Sequence, residues 1–337
     1  MAVATPAYAS DALDEGTVDV VVIGGGAAGL NGALMLARSR RSVVVIDSGS
    51  PRNAPAEAMH GFIVLDGTPP FEILRRGREQ VRQYGGRVVS GEVVSAESAA
   101  PSADGDLRFT VTLADGRGIT ARRILVATGL TDVLPEVPGL AEHWGHSVVH
   151  CPYCHGWEVR DEPIGILATG PVSIGHALLF RQLTEDLTYF THGNLDEDSR
   201  ARFAARGIRV IDTPVAEVVN DEDGALAGVR LADGQVVARR VLAVTPQMQT
   251  RTQGLEGLGL PVQDLPTGRG FASGMAGATE VPGVWVAGNA TDPVAQVGAS
   301  AAAGALAGDY INRMLATADT DAALQRITGG SPNGATG

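Results

Sequence analysis

The chain has no lysine: all 26 of its basic residues are arginine. That excludes Schiff-base chemistry and the Walker-type phosphate-binding lysine. A net charge of −12 argues against a nucleic-acid surface. No apolar run approaches 18 residues, so no membrane-spanning helix is expected. The first 17 residues lack a basic segment followed by an unbroken apolar one, and read as a disordered leader and not a signal peptide. Residues 321–337 read as a loose tail. The expectation is a cytoplasmic enzyme of about two domains, since 337 residues exceed one ordinary core.

Cysteine is equally scarce. The only two lie three positions apart, in His150-Cys151-Pro152-Tyr153-Cys154-His155-Gly156. Three readings compete for such a pair. A structural disulfide closing so small a ring would constrain little unfolded-state entropy. A zinc half-site lacks a second CxxC, and its histidines stand too close in sequence to the cysteines for easy tetrahedral closure, so no metal is expected. A redox-active pair fits best, because CxxC motifs commonly hold one thiol at lowered pKa. With no third cysteine, all thiol–disulfide exchange must run through Cys151 and Cys154. Thiols must be deprotonated to attack, so a base is needed, with His155 the first candidate and His150 the second.

Further upstream, Val18–Ile23 is a continuous β-branched run that ends in Gly24-Gly25-Gly26-Ala27-Ala28-Gly29. A helical pattern follows, then a second buried strand over Ser42–Ile46 that ends at Asp47. This is the strand–GxGxxG–helix–strand–acid order of a dinucleotide-binding unit. Gly24 permits the tight turn, Gly26 the approach of a pyrophosphate, and Gly29 close helix–strand packing; Asp47 can accept from a ribose hydroxyl. Downstream, Pro70–Tyr84 reads as an amphipathic helix whose arginines, Arg75 to Arg82, form a solvated face. Arg87–Ala96, Leu107–Leu113, Gly118–Ala121 and Arg122–Ala127 read as strands, the last ending in Ala127-Thr128-Gly129.

The pattern then repeats. Leu113-Ala114-Asp115-Gly116 before Ala121–Thr128 is matched by Leu231-Ala232-Asp233-Gly234 before Ala238–Thr245. Ile164–Leu167, Ile174–Leu183 and Leu187–Phe190 form the second strand–helix–strand. Its fingerprint, Ala168-Thr169-Gly170-Pro171-Val172-Ser173, keeps one glycine, and Pro171 removes an N–H that a phosphate would use. The following strand ends in Thr191-His192-Gly193-Asn194, with neither the acid of an NAD site nor the arginines of an NADP site. Near the C-terminus, Val281–Asn289 reads as turn, strand and glycine stop. It leads through Gln296-Val297 to an alanine-rich helix over Ala299–Ala307.

From residue 18 to about 315 the chain resembles the low-molecular-weight thioredoxin reductase type of flavoprotein. The features that carry the likeness are Gly24–Gly29, Asp47, Ala127-Thr128-Gly129, the CxxC and Val281–Val297. The resemblance implies an α/β fold with two Rossmann-like dinucleotide-binding domains. An FAD domain, 18–131 and 248–320, would be interrupted by a nicotinamide-type domain, 132–247, that carries the CxxC. It also implies a homodimer. By position, Gly24, Gly26, Ala27, Ala28, Gly29 and Asp47 would hold the FAD pyrophosphate and adenosine ribose. Arg52, Asn53, Val93 and Ala127–Gly129 would line FAD, with Gly288, Asn289, Gln296 and Val297 at the ribityl chain and isoalloxazine. Cys154 would face the flavin and Cys151 would exchange with substrate.

Three positions depart from the reductases, which usually carry aspartate at His155 and at Asn289 and an arginine-rich segment at Thr191–Asn194. CPYCHG, GNATDP and the degenerate second fingerprint are similar to the dithiol oxidase branch, which closes the disulfides of natural products such as gliotoxin and holomycin with O2. The expected activity is therefore FAD-dependent oxidation of a small-molecule dithiol to an intramolecular disulfide, yielding H2O2. An NADPH-dependent reductase of thioredoxin or a small disulfide, and a flavoprotein redox sensor, are the alternatives.

Overall fold

The computed structural model describes residues 10–13, 16–103, 105–191, 193 and 195–328. Its first sheet is built from β1 (Thr17–Ile23), β2 (Val43–Asp47), β3 (Arg87–Ser90), β4 (Val93–Ala99), β5 (Arg108–Leu113) and β6 (Gly118–Val126). They run in the order β3-β2-β1-β6-β5-β4. The valine-rich β1 and β2 are buried on both faces, as parallel strands under helices must be. Helix α1 (Ala27–Arg38) connects them, and α2 (Pro70–Gln83) leads into β3. The two strands expected over 118–127 are one. Burial along β6 alternates in its first half, where it forms a hairpin with β5, and becomes continuous once it enters the parallel region.

The chain then passes through β7 (Leu130–Val133) and β8 (Val148–Val149) to a single-turn helix, α3 (Pro152–His155). Next come β9 (Ile164–Leu167), α4 (Val172–Phe180), β10 (Leu187–Phe190), α5 (Glu197–Ala205) and β11 (Arg209–Ile211). An antiparallel sheet of β12 (Val215–Asn220), β13 (Leu226–Leu231) and β14 (Val236–Ala238) follows, then β15 (Val241–Val244). A second parallel sheet has the order β11-β10-β9-β15-β8. The sequence repeat is thus real in topology, with one difference. The first copy's continuous β6 corresponds to a broken pair, β14 and β15, which serve different sheets.

Strand β16 (Gln247–Thr250) lies antiparallel to β7, so the two chain passages between the large sheets run side by side. β17 (Val262–Leu265) and β18 (Gly268–Phe271) complete that small sheet, and β19 (Val284–Val286) returns to β6 as the seventh strand of the first sheet. Each parallel sheet has an apolar cluster on either face.

Helix α6 runs from Val297 to Thr328, well past the expected Ala307 and into the segment read as a loose tail. Ile311 and Leu315 are fully buried, and Asp319 receives Arg41 at 2.6 Å and Arg122 at 2.6 Å, so the added turns are anchored. α6 lies close on α1 because small residues meet: a Cβ at Gly304 would stand 1.9 Å from the Ala28 carbonyl oxygen. Part of the expected leader is also tied down. The Asp11 carboxylate accepts from the Val88 N–H at 2.7 Å and from Arg82 at 2.8 Å. Residues 1–9, 14, 15 and 329–337 lie outside the described residues. No helix of the described chain is long and apolar enough to cross a membrane.

Candidate active site

One cavity of about 970 Å³ runs from the glycine turn after β1 to the cysteine pair. Every site residue expected from the sequence lines it, with two exceptions: Gly29 and Gly288. Those two act behind the wall. A Cβ at Gly29 would be 1.9 Å from the Gly24 carbonyl oxygen, and one at Gly288 would be 2.8 Å from the Ala28 Cβ.

The glycines of the first turn divide by what forbids a side chain. Gly24 has φ +106°, and its Cβ would meet the Ala127 carbonyl oxygen at 2.3 Å. Gly25, outside the fingerprint, also leaves no room for a side chain: a Cβ there would stand 2.6 Å from the Asp47 Cγ. Gly26 is different. Its backbone is extended, with φ −80°, and a Cβ there would meet no protein atom within 4 Å. Nothing in the fold requires glycine at 26, but a ligand lying close against the turn in this cavity would. The first turn of α1 carries no acidic residue and no side-chain cap, which leaves its N–H groups to an anion. These residues fit a dinucleotide pyrophosphate.

Asp47 is nearly buried, and Arg78 reaches it at 2.9 Å. Arg78 is only 4% exposed, which corrects the solvated reading of its helix. It lies between Leu74 and Val81 on the inner face of α2, where a charge is stable only with a partner. Of the other arginines expected to face solvent, Arg75 and Arg76 do so and pair with Glu72, while Arg82 is half-buried against Asp11.

Opposite, Arg52 holds Asp132 through two bonds, at 2.8 and 2.7 Å, and donates to the Pro293 carbonyl at 3.1 Å. Asn53 lines the cavity beside it, and Val93 does so from the neighbouring strand. Asn289 donates to the carbonyls of Asp292, Pro293 and Ala295, the last at 2.8 Å. An aspartate could not donate to any of them, so asparagine at 289 organises the loop before α6. The carboxamide expected at the ribityl chain is thus largely committed to its own loop. Thr128 donates to the Arg251 carbonyl at 3.0 Å, and Arg251 itself lines the cavity, a residue without a sequence signal. Gly129 is left-handed, and Gln296 and Val297 stand at the start of α6.

At the other end, Cys151 and Cys154 form a disulfide. Cys151 caps α3, and its Sγ accepts from the Cys154 N–H at 3.1 Å. Pro152 starts the turn, where its missing N–H costs nothing. Gly156 ends it, since a Cβ there would be 2.1 Å from the Pro152 carbonyl oxygen.

Three histidines line this end. His150 Nδ1 donates to the Val244 carbonyl at 3.2 Å, which leaves Nε2 with the lone pair in the neutral ring. Burial, with Arg52 adding to it, holds the His150 pKa below the ordinary imidazole value. Burial also lowers His155, against an opposing pull from Glu158. The third, His176, was missed by sequence reasoning because it sits alone on an apolar helix. Its Nε2 donates to the His150 carbonyl, its ring packs on Phe180, and burial lowers its pKa to about 4. All three are therefore neutral near pH 7. Among the described residues no group of three or more His, Cys, Asp or Glu could hold a metal.

The second glycine turn offers a poor anion cradle. The Thr169 N–H donates to Ser173 Oγ at 3.0 Å, and Ser173 is fully buried. Pro171 is the N-cap of α4. At the end of β10, Thr191 donates to Asp212, and the nearby Arg200 is committed to the same carboxylate at 2.6 Å. His192 and Asn194 of that strand end lie outside the described residues.

Residues 18–307 match the family model for pyridine nucleotide-disulphide oxidoreductases. The chain is 35% identical over 280 residues to a protein named thioredoxin reductase tcpT from Claviceps purpurea, covering 81% of this chain and 86% of that one. It is 31% identical over 321 residues to thioredoxin reductase sirT of Leptosphaeria maculans, covering 89% and 95%. Among solved structures, that of HlmI superposes with a TM-score of 0.86 at 45% identity, over 93% of this chain and 96% of that one.

Proposed function

The chain belongs to the pyridine nucleotide-disulphide oxidoreductase family, a thioredoxin reductase-like group of flavoproteins, and on that premise we propose that it is a dithiol oxidase using FAD. Its substrate is a small molecule bearing two thiols, which it converts to the intramolecular disulfide. O2 receives the electrons and leaves as H2O2. The observation that carries the reading is a contrast within the chain. The first cradle keeps its three glycines and shares a cavity with the disulfide, whereas in the second Ser173 Oγ takes the Thr169 N–H, Pro171 supplies none, and Gly170, though as open as Gly26, lies outside that cavity. Electrons thus have a route from thiols to a flavin and a poor one from a nicotinamide.

FAD, held by Gly24–Ala28, Asp47 and the loop before α6, would supply the two-electron acceptor for the cysteine dithiol and the means of reducing O2. The chain's own residues do the rest. We assign the base to His150, because its Nδ1–H is fixed on Val244 and Nε2 is left free to take a substrate proton; His155 stands second. The first substrate thiolate attacks Cys151 Sγ, the S–S bond breaks, and its electron pair leaves on Cys154. The second substrate thiolate attacks the substrate sulfur of the mixed disulfide, closes the ring and expels Cys151 as thiolate. The Cys154 N–H that reaches Cys151 Sγ stabilises that leaving group. Two thiols become one disulfide, and the enzyme disulfide becomes a dithiol.

The pH dependence follows from burial of His150. Only the neutral ring accepts a proton, and a pKa below the ordinary value keeps it neutral into mildly acidic solution. The wild-type rate should therefore hold through about pH 6.5, the unperturbed imidazole pKa, and fall only as pH drops through the lowered one. His150→Ala should cost roughly 10²–10⁴-fold at pH 6. The deficit should shrink towards about pH 9, where substrate thiols ionise unaided. A pH-independent deficit would remove the base assignment.

The reading itself is tested by oxygen uptake. With a dithiol and no nicotinamide nucleotide, one O2 should be consumed and one H2O2 released per disulfide formed. Turnover that requires NADPH would instead favour a reductase, the activity in the names of the fungal relatives.

A further inference from the structure

Helix α4 begins at the degenerate glycine turn, where a nucleotide-binding domain would set a pyrophosphate. Ser173 Oγ takes one N–H of its anion cradle, that of Thr169, and one face of the helix looks into the disulfide cavity. That face is Val172, Gly175, His176 and Leu179, spaced at i, i+3, i+4 and i+7. Val172 and Leu179 are 39% and 41% exposed, unusual for aliphatic residues at the wall of a cavity. Tyr153, from the cysteine motif itself, is 64% exposed and lines the same cavity.

Gly175 is the informative position. It lies inside a helix, where glycine is less favourable than alanine. A Cβ at 175 would meet nothing within 4 Å, so packing does not explain the glycine. Gly26, on the wall of the same cavity, is open in the same way. From Trp144 to Leu179, no lysine, arginine, aspartate or glutamate lines the cavity.

We propose that this face of α4 is the substrate-binding wall, with the space at Gly175 receiving the uncharged ring that carries the two thiols. The proposal rests on the dithiol oxidase reading and adds to it the residues that set substrate size. Tyr153 closes the opposite side, and Val172 and Leu179 flank the ring. The nucleotide-type helix has thus kept its place beside the disulfide and exchanged a phosphate-binding end for an apolar face. The chemistry at the wall is only docking: the ring's two S–H groups give up two protons and two electrons to the Cys151–Cys154 bond and leave as S–S.

The test uses the anaerobic half-reaction of the holoenzyme, so that neither O2 nor nicotinamide enters it. Loss of the flavin's visible absorption is followed after mixing with dithiothreitol, small and flexible, or with peri-naphthalenedithiol, flat and rigid. Gly175→Leu should lower the ratio of the naphthalene rate to the dithiothreitol rate by at least about tenfold, the usual scale for filling an apolar pocket. Gly175→Ala should shift the ratio in the same direction while its Tm does not fall below wild type, because alanine favours the helix. The alanine variant therefore carries the test if leucine disturbs folding. An unchanged ratio in Gly175→Ala and Gly175→Leu would overturn the wall and leave the oxidase reading standing. A wild-type enzyme that neither dithiol reduces would overturn both.

Discussion

Replacing Cys151 by serine should abolish turnover, by roughly 10⁴-fold or more, the scale of losing a covalent catalytic group. The chain has no other cysteine besides Cys154, so no alternative disulfide can form within it. The two single variants should nevertheless differ. Cys154→Ser keeps the attackable sulfur, and a monothiol analogue of the substrate, pre-activated as a mixed disulfide and lacking the second thiol that would expel Cys151, should become trapped on Cys151, adding the analogue's mass. Cys151→Ser keeps Cys154, the thiol assigned to the flavin, and its thiolate should give a broad long-wavelength absorption against the isoalloxazine. Mass spectrometry and absorbance read these outcomes separately from rate. Trapping on Cys154, with the absorption band in the Cys154→Ser protein, would reverse the two roles. Serine in either position leaves α3 intact, because Pro152 and the packing of Gly156 hold the turn.

Gly26→Val should yield a colourless, folded protein. The backbone at 26 is extended, a conformation valine adopts readily, and no protein atom lies within 4 Å of its Cβ. The side chain instead fills the space before the α1 N–H groups, where the FAD pyrophosphate belongs. FAD occupancy, read from the visible spectrum after denaturation, should fall below about a tenth, while far-ultraviolet circular dichroism stays as in the wild type. Gly29→Ala provides the contrast: its Cβ meets the Gly24 carbonyl oxygen at 1.9 Å, so it should lose folded yield together with FAD. Full FAD occupancy in Gly26→Val would remove the cofactor assignment.

How much of this was legible beforehand depended on whether local pattern or distant packing governs a position. The turn Gly24–Gly29, Asp47 at a strand end and the CxxC each announce themselves over a few residues, because a tight turn, a carboxylate at a strand end and a paired thiol are local requirements. The expected site residues all line one cavity except Gly29 and Gly288, which support its wall from behind. Arg78 was misread because a helix with six arginines and glutamates invites a solvent-facing reading. Its position between Leu74 and Val81 carried the contrary signal. His176 and Arg251 had no signal at all: each acquires its place from a partner 26 or 123 residues away. The length of α6 was missed for the same reason, since Asp319 is held by Arg41 and Arg122 from the far side of the sheet. The pair of glycine turns was informative in another way. Pro171 predicted a degraded second cradle, and Ser173 Oγ on the Thr169 N–H gives that degradation a physical form.

The central claim, that electrons enter from a dithiol and not from a nicotinamide, is tested most directly by bleaching of the flavin under anaerobic conditions. Oxidised holoenzyme is mixed in one syringe pair with NADPH and in another with a ring-held dithiol. The account predicts rapid loss of the flavin's visible absorption with the dithiol, one equivalent sufficing, and no comparable change with NADPH at micromolar concentration. Rapid bleaching by micromolar NADPH, with the dithiol leaving the flavin oxidised, would contradict it.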